Sequence, residues 1–313
     1  MTEFADDCDE LPWVSIVTPA YNQAEYLAET IESVLAQDYP RLEYIVIDDG
    51  STDGTQTVLQ RYEGRLHHER HANMGQARTI NKGWRQARGS LIAYLSSDDT
   101  LAPGAITRMV KALQDHPNAV VAYCDFGLID ARGSLFRQVQ AEDFSEDRLH
   151  IDLVCQPGPG ALIRRDIFDG TGGWAEGLQQ VPDFEFWLRA SCLGPFVRVA
   201  ESLANYRVHQ ESASYRAIPS ERAQEIFLVM SQFWHHRTGK NATNAIARSL
   251  CIVAKNHAQS GRIIQGIRSL ARGFLMAPTM MLTLQPWRQF LFGIIYRHFG
   301  IASVIRRFGG TDK

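Results

Sequence analysis

Two periodicities alternate along the first half of the chain. Short β-branched and apolar runs recur at residues 14–18 (VSIVT), 44–47 (YIVI), 91–95 (LIAYL) and 119–129. Between them, apolar residues return at helical spacing. Asn22 with Glu25 three positions on has the capping-box spacing, and the helix it opens would carry Ile31, Val34 and Leu35 on one face. A second helix is expected to about Tyr62 and a third over 75–87. Pro103 stands where a first-turn proline would open a fourth, and Ala131-Arg132-Gly133 reads as a turn. Repeated β-α-β units predict an α/β protein with a mostly parallel sheet flanked by helices.

Beyond residue 150 the pattern changes. Residues 150–177 are rich in Gly and Pro and read as site-building loops. Residues 183–192 have helical spacing, and 196–199 and 203–208 read as short strands. After Ile218 the pattern is helical to the end, with an apolar stretch over 274–299 broken by Pro278, Pro286 and Arg288. The expected division is a sheet domain over 1–217 and a helical C-terminal region over 218–313.

The composition, 45% hydrophobic and 21% charged over 313 residues, is that of a globular chain and excludes a disordered one. Cys8, Cys124, Cys155, Cys192 and Cys251 are scattered and lack any CxxC spacing, so reduced thiols are expected. The acidic start lacks the pattern of a secretory signal, and no run is long and apolar enough to span a bilayer, so a cytoplasmic location is expected. The net charge of -3 hides an asymmetry. Residues 218–313 hold 13 Lys+Arg against 3 Asp+Glu, and residues 1–217 hold 19 against 32. An acidic body suits a metal; a basic tail suits an anionic surface.

In an open α/β sheet, ligands bind beyond the carboxyl ends of the strands. Three expected strands end in polar or acidic groups: Pro19-Ala20-Tyr21-Asn22, Asp48-Asp49-Gly50-Ser51 and Ser97-Asp98-Asp99. Carboxylates crowded at one edge repel unless a cation or a donor-rich ligand offsets them. Mg²⁺ typically takes one or two carboxylates and completes its shell from substrate phosphates, which points to a nucleoside diphosphate carried by a metal. Other readings fail. The G-x-G-x-x-G and G-x-x-x-x-G-K-[ST] loops and the G-x-S-x-G elbow are absent. Residues 49–54 mimic an EF-hand opening, but Gln60 occupies the position of its bidentate Glu.

The runs VSIVTPAYNQAEYLAETIESVLAQDYPRLEYIVIDDGSTDGT and NMGQARTINKGWRQARGSLIAYLSSDD resemble the opening of family 2 glycosyltransferases with the GT-A, Rossmann-like fold. CQPGPGALIRR, GGWAEGLQQVPDFEFWLR and YRVHQESAS resemble the acceptor side of bacterial members. The resemblance covers roughly residues 14–215. It implies an inverting, metal-dependent transfer of a sugar from a nucleotide donor to a hydroxyl acceptor, in cell-surface polysaccharide assembly. It implies that Tyr21 lies against the nucleobase, with Pro19 and Ala20 supplying backbone. Asp49 would accept from the base or ribose, and Arg78 would assist the nucleotide's charge. Asp98 and Asp99 match the DXD-type motif, Asp98 towards the ribose and Asp99 towards Mg²⁺ or Mn²⁺. Ser96 replaces the motif's leading residue. His209 matches a position that contacts metal or diphosphate. Asp183 falls at the general base, with Pro182 before it.

Competing readings are plain packing and capping. Asp48 reads as a turn residue, Asp98-Asp99 and Asp183 can cap helices, Trp174 can stack on a sugar or pack, and Arg189 can pair with a carboxylate. His67, His68 and His71 are expected to face solvent. The Arg-rich tail reads as a helical packing or homodimer unit, or as an amphipathic surface for peripheral contact with anionic lipid beside a lipid-linked saccharide acceptor. Ser96 and Pro182 also leave open a non-catalytic nucleotide-binding or scaffold module.

Overall fold

A computed structural model describes residues 11–209, 212 and 217–308. Cys8, the acidic start, and Gln210, Glu211, Ala213 and Ser214 of the last resembling run lie outside the described residues, as do the side chains of Arg306 and Arg307. The elements in chain order are β1 (Val14–Ala20), α1 (Leu27–Leu35), β2 (Leu42–Asp48), α2 (Thr55–Gln60), β3 (His67–Arg70), α3 (Gln76–Gln86), β4 (Leu91–Tyr94), β5 (Thr100–Leu101), α4 (Ala105–Asp115), β6 (Val121–Ile129), β7 (Leu135–Val139), α5 (Glu146–His150), β8 (Leu162–Arg164), α6 (Arg165–Thr171), α7 (Pro182–Ser191) and β9 (Phe196–Arg207). Then come α8 (Ser220–Ala223), α9 (Glu225–Phe233), α10 (Lys240–Gln259), α11 (Ile263–Met276), α12 (Pro278–Met281) and α13 (Leu284–Phe308). By packing, the chain forms two units. The first holds the chain up to Phe144, Gln156–Gly177 and Arg189–Val208; the second holds Ser145–Cys155, Leu178–Leu188 and the chain from His209 onward.

In the first unit, β1 is buried along its whole length, so both of its faces must be covered. Val14 and Ile16 join Leu27, Ile31 and Val34 of α1, and Ile106, Met109 and Leu113 of α4, in one core. The alternate residues face α3. A Cβ on Gly83 would stand 2.4 Å from Val17 Cγ1, so this helix sits close on the strand only because residue 83 is glycine. Among the described residues, nine strands form one sheet in the order β3-β2-β1-β4-β8-β6-β9-β5, with β7 on β6. The pairs β2–β3, β1–β2, β1–β4 and β6–β9 are parallel; β4–β8, β6–β8, β5–β9 and β6–β7 are antiparallel. The sheet is thus parallel through its first four strands and mixed beyond them. The connections from β1 to β2 and β3 run one way and β4 lies on the other side, so strand order reverses at the β1/β4 boundary.

Several local expectations are corrected. Asn22 does not cap α1, whose N-cap is Tyr26. Asn22 has φ 54, and its side chain accepts the Thr52 N–H at 2.8 Å, tying the β1 exit to the turn after β2. Pro103 lies ahead of α4, with Gly104 as N-cap. The two short strands expected over 196–208 are one strand, β9, with irregular register opposite Asp125.

The second unit is helical. The long helix α10 packs against α11 and α13, burying Ala247, Cys251, Ala254 and Ala258 with Leu270, Met281 and Phe290. Helix α11 stops before Pro278, which opens α12. No helix among the described residues is long and apolar enough to cross a membrane.

Candidate active site

Parallel pairing sends the carboxyl ends of β2, β1 and β4 to one edge of the first unit. Ala20, the last residue of β1, lies beside Asp48, and its carbonyl accepts the Asp49 N–H at 2.8 Å. Pro19 and Ala20 therefore present backbone at this edge, and Tyr21, 47% exposed, follows into solvent. Asp48 accepts the Ser51 N–H at 2.8 Å, which makes it the turn residue the sequence suggests. Gly50 has φ 78, and a Cβ there would stand 2.7 Å from the Asn73 nitrogen. Glycine lets the loop before α3 cross directly over the β2 exit.

Asp49 organises that loop. Its Oδ1 accepts the Met74 N–H at 2.7 Å and its Oδ2 the Gly75 N–H at 2.9 Å. His71 Nε2 lies 3.4 Å from Oδ1, so this histidine is turned inward and not to solvent. Oδ2 carries one of these bonds and has a second lone pair. Arg78, in the first turns of α3, is exposed, and its Nε lies 3.4 Å from Glu176.

Asp98 and Asp99 follow β4. They do not cap a helix, since β5 comes next. Asp99 is buried; its Oδ1 accepts the Arg207 N–H at 2.9 Å, and its carbonyl accepts the Thr30 hydroxyl at 2.8 Å. Burial, with the adjacent Asp98 carboxylate, holds the Asp99 carboxyl well above the usual carboxylate range; the Arg207 N–H opposes this. Asp98 is half-buried.

Arg207 is a residue the sequence reading did not single out. Its side chain is 1% exposed. Its Nε donates to the Asp98 carbonyl at 2.9 Å, Nη1 to the Asp130 carbonyl at 3.2 Å, and Nη2 to Glu29 at 2.5 Å. The guanidinium also lies 5.0 Å from the Tyr26 ring centroid. It ties the Asp98 carbonyl of the aspartate loop to the Glu29 carboxylate of α1 and to the Asp130 carbonyl after β6.

Trp174 packs and is buried. Its ring meets Tyr94 edge-on at 4.7 Å, and its backbone exchanges two hydrogen bonds with Asn81. Arg189 grips the Thr171 and Gly173 carbonyls at 2.7 and 2.6 Å, so it braces the loop before Trp174.

The second unit holds Asp183 and His209. Asp183 is half-buried at the start of α7, and its Oδ1 accepts the Phe184 N–H at 2.8 Å. Desolvation raises its carboxyl above the ordinary value. Desolvation, then the Asp183 charge, also pushes the Cys155 thiol above its ordinary value. The segment leading into α7 is set by Glu225, whose Oε2 accepts the Gln179 and Gln180 N–H groups at 3.0 and 2.6 Å. Glu225, 45 residues downstream, gave no sequence signal. His209 is buried, and its N–H donates to Ser212 Oγ at 3.2 Å.

Asp98 and Asp99 offer hard oxygen donors. No three His, Cys, Asp or Glu side chains cluster as a metal cage among the described residues. Such a pair fits Mg²⁺ or Mn²⁺ shared with a phosphate ligand, not a cation held by protein alone. The raised Asp99 carboxyl fits it too, because a cation would offset the charge that burial disfavours.

Comparison with known proteins gives a family and a fold. The family model described as Glycosyl transferase family 2 matches residues 15–172. The chain is 31% identical over 220 residues to an uncharacterized glycosyltransferase of Rickettsia typhi, covering 66% of this chain and 67% of that protein. It is 27% identical over 223 residues to the chondroitin synthase of Escherichia coli, covering 70% of this chain but 32% of that one. Among solved structures, S. aureus TarS in complex with UDP-GlcNAc aligns with TM-score 0.63 at 16% identity, covering 95% of this chain and 92% of that one. The mannosyltransferase PcManGT of Pyrobaculum calidifontis, in complex with GDP-Man and Mn²⁺, aligns with TM-score 0.59 at 19% identity, covering 98% and 90%. At such identities the structural likeness carries the fold alone, and that fold is the GT-A type with a helical C-terminal region.

Proposed function

The chain belongs to glycosyl transferase family 2, and from that premise we propose that it moves a sugar from a nucleoside-diphosphate donor to a hydroxyl acceptor with inversion at the anomeric carbon. What supports this reading is the carboxyl edge of β2, β1 and β4, the point of strand reversal, after which Asp49, Tyr21 and Asp98-Asp99 follow in the chain.

Tyr21, exposed after β1, gives the nucleobase an aromatic face, with Pro19 and Ala20 as its backbone floor. Asp49 accepts from the base or ribose through the second lone pair of Oδ2, and Asp98 accepts from the ribose. Arg78 supplies positive charge to the diphosphate. Asp99 is the residue we assign to the divalent cation, with His209 as a further ligand on its resemblance alone. When bound, Mg²⁺ or Mn²⁺ supplies Lewis-acid neutralisation of the departing diphosphate.

Asp183 is the general base we assign. A hydroxyl is a poor nucleophile until its proton leaves, and one positioned carboxylate contributes about 10²–10⁴-fold. Its raised carboxyl moves it towards neutral pH, where a base works best, and only its ionised form can accept the proton. The acid limb of kcat/KM is therefore expected above the ordinary carboxylate range. We assign residues 1–217 to this chemistry, in saccharide or polysaccharide synthesis.

The test is turnover of a panel of nucleotide sugars with Mn²⁺, with and without chelator, for the native chain and for Asp183→Asn. The expected result is chelator-sensitive transfer, abolished in the variant while the donor still raises its melting temperature. Full activity in Asp183→Asn removes that residue from the role. Donor binding without transfer by the native chain favours the non-catalytic module that Ser96 and Pro182 leave open.

A further inference from the structure

Helix α11 is amphipathic the wrong way round for a helix that only packs. Its buried positions are Gly266, Ser269, Leu270 and Gly273, mostly small. Apart from Leu270 and the partly buried Ile263, its large apolar residues point outward: Ile264, Ile267, Phe274 and Leu275 are all exposed, Leu275 at 83%. Positions 264, 267, 274 and 275, with the exposed Ala271 between them, fall on one outer stripe. Arg268 and Arg272 flank it, and Arg272 lies over the Phe227 ring.

The next helices repeat the pattern. Leu282 and Leu284 are 74% and 78% exposed. In α13, Leu284, Trp287 and Leu291 fall on one exposed stripe with Arg288 beside it. Trp287 anchors its indole N–H on the Met281 carbonyl at 3.1 Å, leaving much of the ring outward. Large exposed apolar stripes of this kind mark a surface with a partner.

Charge selects the partner. From Ile226 to Thr311 the sequence holds eleven Lys+Arg and no Asp or Glu. A second copy docking face to face would set Arg268, Arg272 and Arg288 near their own counterparts with no acid to pair them. A bilayer with anionic headgroups suits both halves: acyl chains accept the apolar stripe, headgroup phosphates the arginines, and an exposed Trp the boundary between them.

We propose that the outward faces of α11, α12 and the start of α13 form an interfacial binding surface for anionic membrane lipid. This goes beyond the catalytic reading and stands whatever that chemistry is. The helices lie on the membrane and do not cross it, in keeping with the lack of a spanning helix among the described residues.

The experiment is co-sedimentation of the full chain with vesicles of phosphatidylcholine plus phosphatidylglycerol, against vesicles of phosphatidylcholine alone. The expected result is binding to the anionic vesicles that weakens with salt. Each of Arg268→Gln, Arg272→Gln and Arg288→Gln weakens it about fivefold. The triple variant Leu275→Ser, Leu284→Ser, Trp287→Ser loses it while keeping the native circular-dichroism spectrum, a cooperative melt and turnover of any water-soluble acceptor. Absence of binding to either vesicle, or equal binding by the triple variant, overturns the proposal. So does a dimer in sedimentation velocity that the triple variant abolishes without any vesicle binding, which assigns the face to a second copy.

Discussion

The two units handle polarity in opposite ways. In the first, acidic groups are drawn inside and their backbone surroundings are arranged around them: Asp49 collects two N–H groups, and Asp99 one with the help of a buried arginine. In the second, helix α11 turns mostly small residues inside and leaves Ile264, Ile267, Phe274 and Leu275 out, in a stretch of sequence from Ile226 to Thr311 that holds arginines and no acids. Neither choice is the one a chain makes for stability alone. Burying carboxylates side by side and exposing leucines both cost free energy that only a ligand or a surface recovers. The difference teaches where to look: for a cation and diphosphate at buried charge, and for a lipid phase at exposed hydrocarbon.

The strongest break of this comparison is Asp99→Asn. The asparagine keeps an oxygen for the Arg207 N–H and removes the charge. Loss of Lewis-acid assistance worth several kcal/mol lowers turnover by about 10²-fold or more. The same change is expected to stabilise the cation-free protein at neutral pH. The folded Asp99 carboxyl titrates well above its unfolded value of 3.8, so the native state binds that proton more tightly. Its contribution to stability is fully present below the unfolded pKa and is lost as pH rises through the folded one. Melting temperature against pH, with and without Mn²⁺, checks this. The native chain should gain from Mn²⁺ at neutral pH and the variant should not. A variant that melts lower than the native chain at neutral pH without cation removes the idea of an uncompensated charge.

Arg207→Met comes next. It removes donors to two carbonyls and a partner of Glu29 from a buried position, for about 2–4 kcal/mol measured by urea unfolding. Glu29 itself is half exposed, so most of this comes from the orphaned carbonyls and not from the ion pair. A loss below about 1 kcal/mol would mean that the aspartate loop holds its shape without the arginine.

These two residues differ in how far the sequence disclosed them. Asp98-Asp99 stand at a strand end inside a recognisable run, and the alternation of β1, β2 and β4 places that end correctly. Arg207 acts across 109 residues on the Asp98 carbonyl, and nothing in the local pattern of β9 distinguishes it from any strand arginine. Glu225 is hidden for the same reason. Asn22 misleads because cap and turn chemistry use the same side chain; its φ of 54 and its bond to Thr52 are tertiary facts. Periodicity also foretells that α11 is amphipathic without saying which side faces in, since that depends on how closely α10 approaches.

That close approach gives the third break. A Cβ on Gly266 would stand 2.6 Å from the Phe290 ring and 3.0 Å from the Ala254 carbonyl. Gly266→Ala gains helix propensity of about 1 kcal/mol but meets a ring and a backbone oxygen that must move, at about 1–3 kcal/mol. The expected net is a loss of about 1 kcal/mol in thermal or urea unfolding. A net gain would mean that α10 and α11 have room between them.

The smallest expected effect tests the other side of the same helix. Leu275 is 83% exposed, so Leu275→Gln removes little buried surface, and glutamine is nearly as good a helix former as leucine. Folding stability should stay within about 0.5 kcal/mol of the native chain. An ordinary packing helix shows the reverse: its large apolar positions are the costly ones and its small positions tolerate change. The pair Gly266→Ala and Leu275→Gln thus measures the inversion directly in one helix. If Leu275→Gln costs more than about 1 kcal/mol in dilute protein without lipid, its side chain is buried in the folded molecule and the outward stripe does not exist. If it costs nothing there yet weakens attachment to anionic vesicles, leucine at this position is explained by the surface it meets and by no contact within the fold.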